Sequence, residues 1–463
     1  MGPGQCIIAG LRTTGSHRSV ARCCGVDVHV SGIDGGRVAR WRRSEFLRHI
    51  LTLLSGTAAA QLLMLALTPV LSRLYSPEAY GLFSLYSSLV ATVTVVAALR
   101  YDMAIMLPKH DADAKVLKRG VTRLIVAVSI GATLVCGIAS PLIADAMGKP
   151  ELAPWLWLVG LSIFTLAEIS ALTYWLNRRS DYKAIGINRV LQSGGTALAQ
   201  LAFALGKFGG VGGLIGGTLV GQGAALLTLR HKGRDVRSGL DESQESIASL
   251  FSRYRKMPLL NGPNALVDAL RTNGINLIIG VVYSQSLLGQ FYMAWKLLEV
   301  PLGLINGALA QVFFQRLAVM ERGSMFAFAK SSVFRSAILG VVPFALIYWL
   351  SPWAFPVVLG EQWTDAGLIA QALVPWLFMS LITSPISTIF VVTETQHLML
   401  AHALVYTAVP LSLLFFLKGD IVTNLSIVSL AMAAILVVFT AMALWVGHRF
   451  DHQADSKQTV VGG

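Results

Sequence analysis

Apolar runs long enough to cross a lipid bilayer recur about twelve times between residues 50 and 447. That recurrence constrains the fold more than any other feature. A backbone in lipid must satisfy its own hydrogen bonds, so it crosses as helices or as a closed barrel. Runs of roughly 18–25 residues exceed the 9–11 that a barrel strand needs, which leaves helices. The first six predicted spans are 50–72, 80–99, 121–145, 153–176, 186–205 and 211–229; the second six are 258–282, 287–314, 333–352, 366–391, 397–417 and 424–447. Charged residues make up only 13% of the 463, against about 25% in soluble chains, so a string of soluble domains is excluded. The predicted fold is an all-α polytopic membrane protein of about twelve transmembrane helices in two six-helix lobes.

The positive charge tests the span count. Cytoplasmic loops are enriched in Lys and Arg. With the N-terminus cytoplasmic, the loops after spans 2, 4, 6 and 8, counted with the adjoining span ends, hold about 21 Lys and Arg, among them Lys115, Lys118, Arg119, Arg123, Arg178 and Arg230. The loops on the other side hold four: Arg73, Lys149, Lys207 and Lys418. A wrong count would scramble this alternation, so both termini are placed inside. The net charge of +13 is thus a topology signal suited to an anionic leaflet, with no need to invoke nucleic acid as a partner. Trp155, Trp157, Trp353 and Trp363 fall near the predicted outer ends, as an interfacial belt would.

The two halves carry a repeat. "LYSPEAYGLFSLY" (74–86) aligns with "VYSQSLLGQFYMA" (282–294) at a constant offset of 208 residues. Tyr75 and Ser76 match Tyr283 and Ser284, Gly81 matches Gly289, and Phe83 matches Phe291. An even number of spans per half relates the halves by an axis along the membrane normal, with a cleft between them that opens alternately to either side.

Ionisable groups at membrane depth cost about 2.5–3.5 kcal/mol each against lipid, so they face the bundle interior or a water-filled cavity. Span 7 carries Asp268 and Arg271 about 15–20 Å from its start at 1.5 Å per residue. Asn261, Asn264, Asp268 and Arg271 fall within an arc of roughly 80°. Lys296, Glu299, Gly303 and Asn306 form a similar arc on span 8, where Pro301 predicts a kink. Two readings stay open here. The stripes are a pair of i,i+3 ion pairs, Asp268–Arg271 and Lys296–Glu299, that hold helices together. Alternatively Arg271 and Lys296 present positive charge to an anion, with Asn261, Asn264 and Asn306 beside it. Glu168 in span 4 is either a proton-coupling group or a satisfied packing partner. "GGVGGLIGGTLVG" (209–221) suits close helix contact.

Chemistry of other kinds is missing from the pattern. There is no phosphate-loop, metalloprotease or serine-hydrolase motif. "HDADA" (110–114) contains an acidic D-x-D but reads as a solvated loop. Cys6, Cys23, Cys24 and Cys136 make neither a zinc site nor a disulfide framework. No catalytic residue, metal or cofactor is predicted. Residues 1–45 are rich in Gly, Arg and Ser and read as a disordered or mis-started cytoplasmic tail, with translation beginning near Val38 at a non-AUG codon because Met64 is the next Met. The domain plan is then an N-lobe over 46–230, a cytoplasmic linker over 231–257, a C-lobe over 258–448 and a tail over 449–463.

Four stretches carry a resemblance: "LSRLYSPEAYGLFSLYSSL" (71–89), "ALRYDMAIMLP" (98–108), "YWLNRRSDYKAIGINRVLQ" (174–192) and "LGEQWTDAGLIAQALVPWLF" (359–378). "LGQFYMAWKLLEVPLGLINGALAQVFFQ" (288–315) matches in style. The chain resembles the O-antigen (Wzx-type) flippases, the polysaccharide-transporter branch of the multidrug/oligosaccharidyl-lipid/polysaccharide superfamily. The resemblance implies a two-lobed, twelve-helix bundle in the bacterial inner membrane. Such proteins flip undecaprenyl-diphosphate-linked oligosaccharide outward, upstream of polymerase and chain-length proteins. It also implies a cationic cavity, which Arg271 and Lys296 fit and which Asp268 and Glu299 offset. The rival within the superfamily is a cation-coupled drug or small-molecule antiporter.

Overall fold

The computed structural model describes residues 21–23, 26–28, 35–206, 208–237, 245–318, 323–393 and 395–452. Much of the segment read as a tail lies outside them. Within it, β1 (Ala21–Cys23) pairs antiparallel with β2 (Val26–Val28), and α1 (Gly35–Leu74) has already begun. Every other described element is helical.

After α1 the chain runs through α2 (Pro77–Ala97), α3 (Tyr101–Ala104), α4 (Asp111–Ile138), α5 (Ser140–Ala146), a 3-10 stretch Pro150–Leu158, α6 (Val159–Arg178), α7 (Tyr182–Leu205) and α8 (Val211–Lys232). A short α9 (Ile247–Arg253) leads through a π-turn, Met257–Asn261, into α10 (Gly262–Val282). Then follow α11 (Gln285–Ala318), α12 (Met325–Leu359), a 3-10 turn Glu361–Trp363, α13 (Thr364–Ile386), α14 (Ile389–Val392), α15 (Gln396–Phe416) and α16 (Ile421–His452).

Among the described residues nine helices are long and apolar enough to cross a membrane. α7, α11 and α15 fall outside that set. α7 carries Lys183, Asn188, Arg189, Gln192 and Gln200, and α11 carries Gln290, Lys296 and Glu299, which lower their hydropathy. α15 is apolar over Ala401–Phe416. The π-turn and α10 together fill the stretch predicted as span 7.

The segment read as a linker holds α9, which is docked. Leu250 is fully buried against Ala104 and Leu117, and the Phe251 ring stacks on Tyr101 at 4.4 Å between centroids. The Ser249 hydroxyl and the Arg253 guanidinium hold the Glu245 carboxyl below its usual range. The D-x-D stretch is no solvated loop. Asp111 opens α4, where a carboxylate complements the helix dipole, and it pairs with Arg178 at 2.8 Å.

Each half packs mainly on itself. α4, α6, α7 and α8 pack together in the first, and α12, α13, α15 and α16 in the second. The glycine-rich start of α8 lets α7 approach closely. A Cβ on Gly217 would lie 2.6 Å from Gln200 N, and one on Gly221 would lie 2.7 Å from Thr196 Cα. Both obstacles are backbone-bound and cannot swing aside. Gly221→Val therefore forces the helices apart, and overpacking of this kind costs about 1–3 kcal/mol. Its unfolding midpoint in detergent should fall clearly below the parent's; an unchanged midpoint would mean that α7 and α8 do not pack this closely.

The halves meet where α2 lies against α10 and α11, and the repeat explains how. Ser76 caps α2 by accepting from Ala79 N at 3.3 Å; Ser284 caps α11 by accepting from Leu287 N at 3.2 Å. These two caps stand 208 residues apart, donor and acceptor alike. Gly81 and Gly289 face each other across the pseudo-axis. A Cβ on Gly81 would sit 3.2 Å from Gly289 N, and one on Gly289 would sit 3.1 Å from Gly81 N and 2.7 Å from the carbonyl carbon of Pro77. The lead-in to α6 reaches the second half through Lys149 Nζ, which donates to Tyr283 O at 3.2 Å. The lead-in to α13 reaches the first half in return, with Trp363 Nε1 donating to Ser72 O at 2.8 Å. Gln285 Nε2 adds a bond to Glu151 Oε2 at 2.7 Å. The bundle is thus closed at the end where α1 turns into α2. Trp363, expected in an interfacial belt, is instead fully buried in this closure, because its indole N–H finds a backbone carbonyl there. Trp157 and Trp353 are exposed, as a belt requires.

Candidate functional site

Asp268 and Arg271 lie midway along α10. Both Nε and Nη2 of Arg271 reach Asp268 Oδ1, at 3.2 and 2.6 Å. One of the two expected ion pairs thus forms, within a single helix. The arginine also projects over the Tyr406 ring of α15, 5.6 Å from the centroid. It lines a small cavity of about 90 Å³ with Thr272, Asn276, Trp295, Glu299 and Trp376.

Glu299 behaves differently from expectation. It forms no ion pair with Lys296 among the described residues. Its Oε2 accepts from Trp295 Nε1 one turn earlier, at 2.6 Å, and its carboxylate shares the cavity with Arg271 of the neighbouring helix. Lys296 is directed elsewhere. Its Nζ lies 5.9 Å over the Tyr292 ring, which stacks on Tyr80 of α2 at 6.2 Å. A lysine near an aromatic face gains a cation–π contact, which competes with the i,i+3 pair. Arg271 and Glu299 thus share the cavity, whereas Lys296 faces the seam between the halves.

The predicted asparagines are not gathered at this cavity. Asn261 donates to Met257 Sδ at 3.3 Å within its own turn. The side chain of Asn264 lies outside the described residues. Asn306 Oδ1 is buried with no hydrogen-bond partner among the described residues. Asn276, which lies off the predicted stripe, joins the halves by donating to Ser88 Oγ of α2 at 3.1 Å.

The aromatic walls were also missed. Trp295 and Trp376 lie 5.0 Å apart, Phe291 lies 5.9 Å from Trp295, and Trp376 Nε1 donates to Tyr406 Oη at 2.5 Å. One signal was legible: Trp295 precedes Glu299 by four residues, the spacing at which an indole N–H reaches a carboxylate on a helix. The partners from α13 and α15 have no local signal, because only the tertiary fold brings them here. In charge, two cations (Arg271, Lys296) meet two carboxylates (Asp268, Glu299), so these four groups do not make the cationic cavity that the resemblance implied.

Glu168 belongs to a different place. It is buried in the first half, where Oε1 receives Lys118 Nζ at 2.5 Å and lies 3.9 Å from Arg230 Nη2. Thr122 Oγ1 donates to its Oε2 at 3.1 Å. Of the two readings offered for it, the geometry is that of a paired carboxylate.

Long apolar helices in two pseudo-symmetric halves, closed at one end and holding polar groups between them, describe a multi-pass membrane protein. The chain belongs to the polysaccharide biosynthesis protein family, whose sequence pattern matches residues 70–367. A search of curated proteins finds no match. Solved structures share the fold at low identity. The lipid II flippase MurJ in an inward closed conformation matches with a TM-score of 0.68 and 13% identity, over 88% of this chain and 92% of its own. An inward-facing multidrug-resistance MATE transporter of the MOP superfamily gives 0.56 and 14%, over 88% and 95%. A MOP-superfamily transporter from Pyrococcus furiosus, described as having reversed binding-pocket polarity, gives 0.53 and 15%, over 87% and 95%.

Proposed function

We propose that the chain flips undecaprenyl-diphosphate-linked oligosaccharide from the inner to the outer leaflet of the bacterial inner membrane, by alternating access between its two lobes. Family membership carries this reading, since polysaccharide is built on lipid carriers whose headgroups must cross a membrane. Both termini are cytoplasmic, so the closed end faces outward. The carrier's prenyl tail stays in lipid while its diphosphate and sugars occupy the cleft. Arg271 meets the diphosphate in exchange for Asp268, a trade of one anion for another that suits a guanidinium's bidentate geometry. Lys296 at the seam adds charge as the lobes move. The Trp295–Trp376–Tyr406 walls suit the apolar faces of sugar rings, and Asn276 in the same cavity suits their hydroxyls. A negative interior helps outward movement of an anionic headgroup by about 2.3 kcal/mol per charge per 100 mV. Polymerase and chain-length proteins act downstream.

The second reading, a cation-coupled antiporter, is favoured by the two carboxylates Asp268 and Glu299 beside the cavity. Complementation of a flippase-null strain separates the two, scored by surface polysaccharide at matched membrane levels. Arg271→Ala and Lys296→Ala should each lose at least about tenfold, the equivalent of one charge-assisted contact. If Asp268→Asn/Arg271→Gln restores wild-type surface polymer, the pair is structural and the headgroup reading of this site is wrong.

A further inference from the structure

A larger cavity lies wholly inside the first half, away from α10 and α11. It has a volume of about 410 Å³ and is walled by α4, α6 and α8, with Val236 at its rim. Lys115, Lys118, Arg119, Arg123 and Arg230 line it, against one carboxylate, Glu168.

In the sequence these cations read as loop charges that set topology. The structure puts four of them on α4, at the i, i+3, i+4 and i+8 positions of one helical face, and Arg230 on the last turn of α8. Lys118 and Thr122 stand about 10–17 Å along α4 at 1.5 Å per residue, so the cavity reaches well into the bundle. Charges that merely oriented the protein would be spread around the rim in water; these converge on one space.

The lining itself holds five cations against one carboxylate. Glu168 is matched by Lys118 at 2.5 Å. Asp111 is engaged by Arg178 at 2.8 Å, and Asp235 by Arg179 at 3.1 Å. Arg119 and Arg123 are exposed, and Arg230, which also lies over the Phe164 ring at 5.4 Å, is 3.9 Å from Glu168. Basic pockets between helices at a membrane surface suit phosphorylated headgroups, and guanidinium forks match phosphate oxygens in pairs.

We infer that the cavity walled by α4, α6 and α8 is a second anion site, separate from the interlobe cleft, that takes a phosphate- or diphosphate-bearing group. The inference does not rest on the flippase reading. The group is supplied either by an anionic phospholipid headgroup or by a soluble phosphate compound.

The test is thermal unfolding of the full chain in neutral detergent, titrated with inorganic pyrophosphate and, separately, with phosphatidylglycerol against phosphatidylcholine. The parent should be stabilised saturably by at least one of the two anions and not by phosphatidylcholine. Arg119→Gln/Arg123→Gln, chosen because both side chains are exposed and the Lys118–Glu168 pair stays intact, should raise the half-saturating concentration about tenfold or more, as expected for two lost charge-assisted contacts. Arg271→Ala should leave it unchanged. A response to phosphatidylglycerol alone assigns the site to a lipid headgroup; a response to pyrophosphate as well shows that the phosphate chemistry suffices. The site is refuted if neither anion stabilises the parent, or if the double variant responds as the parent does. It is equally refuted if the remote second-half pair Lys330→Gln/Arg449→Gln loses as much, since diffuse surface charge would then be responsible.

Discussion

Gly289→Val should spring the closed end of the bundle open. The added Cβ would sit 2.7 Å from the carbonyl carbon of Pro77 and 3.1 Å from Gly81 N. Both are backbone atoms at the start of α2, so no rotamer relieves the clash. Under the alternating access proposed above, the cost falls only on the state in which α2 and α11 touch. Overpacking of about 1–3 kcal/mol moves a two-state equilibrium by roughly 5- to 150-fold. The readout is a cysteine placed at Asn276, which bonds α2 across the seam, in a background whose native cysteines are serine. Its labelling by an impermeant thiol reagent from the outer side should rise at least about fivefold over the parent with Gly289 intact. Gly81→Val should do the same by the symmetric clash with Gln285 and Gly289. Unchanged labelling in a folded Gly289→Val protein would mean that this contact is not the gate.

Lys118→Met should be the most destabilising single change in the first half. Lys118 and Glu168 are both almost completely buried, 2.5 Å apart. Removing one partner of a buried pair strands the other charge and costs about 3–5 kcal/mol, whereas replacing both by neutral groups is often tolerated. Lys118→Met should therefore lower the unfolding midpoint sharply, and Lys118→Met/Glu168→Gln should recover most of the loss. Arg230, 3.9 Å from Glu168, is too far to replace a 2.5 Å partner in place. If the double variant is no more stable than Lys118→Met, the two residues are not coupled as the geometry requires.

These two sites show what was legible in the sequence. The repeat was visible in thirteen residues, and the structure turns its matched letters into contacts: Ser76 and Ser284 become equivalent caps, and Gly81 and Gly289 become the point where the halves touch. The Asp268–Arg271 pair was legible because an i,i+3 spacing determines its geometry within one helix. The Lys296–Glu299 pair had the same spacing and did not form, because Tyr292 on one side and Trp295 on the other supply competing partners. Trp376 and Tyr406 come from helices over 75 residues away along the chain from Arg271, and no local pattern announces them. The basic cavity was hidden for another reason. Apolarity placed the third span at residue 121, but α4 begins at Asp111. Cations counted as loop charge are thus helical, and "KVLKRGVTR" (115–123) carries them along one face.

On the function proposed above, a lipid-linked oligosaccharide, not a soluble cation or drug, is what the lobes carry across. The direct measurement is reconstitution of the purified chain into liposomes containing a polyprenyl-diphosphate oligosaccharide, with an impermeant lectin or glycosidase reporting the headgroups exposed on one leaflet. Headgroups inaccessible in protein-free liposomes should become accessible with the parent protein, and Arg271→Ala should abolish this at equal incorporation. Headgroups that stay put while the same liposomes exchange protons for a cationic dye would contradict it and establish the antiporter instead.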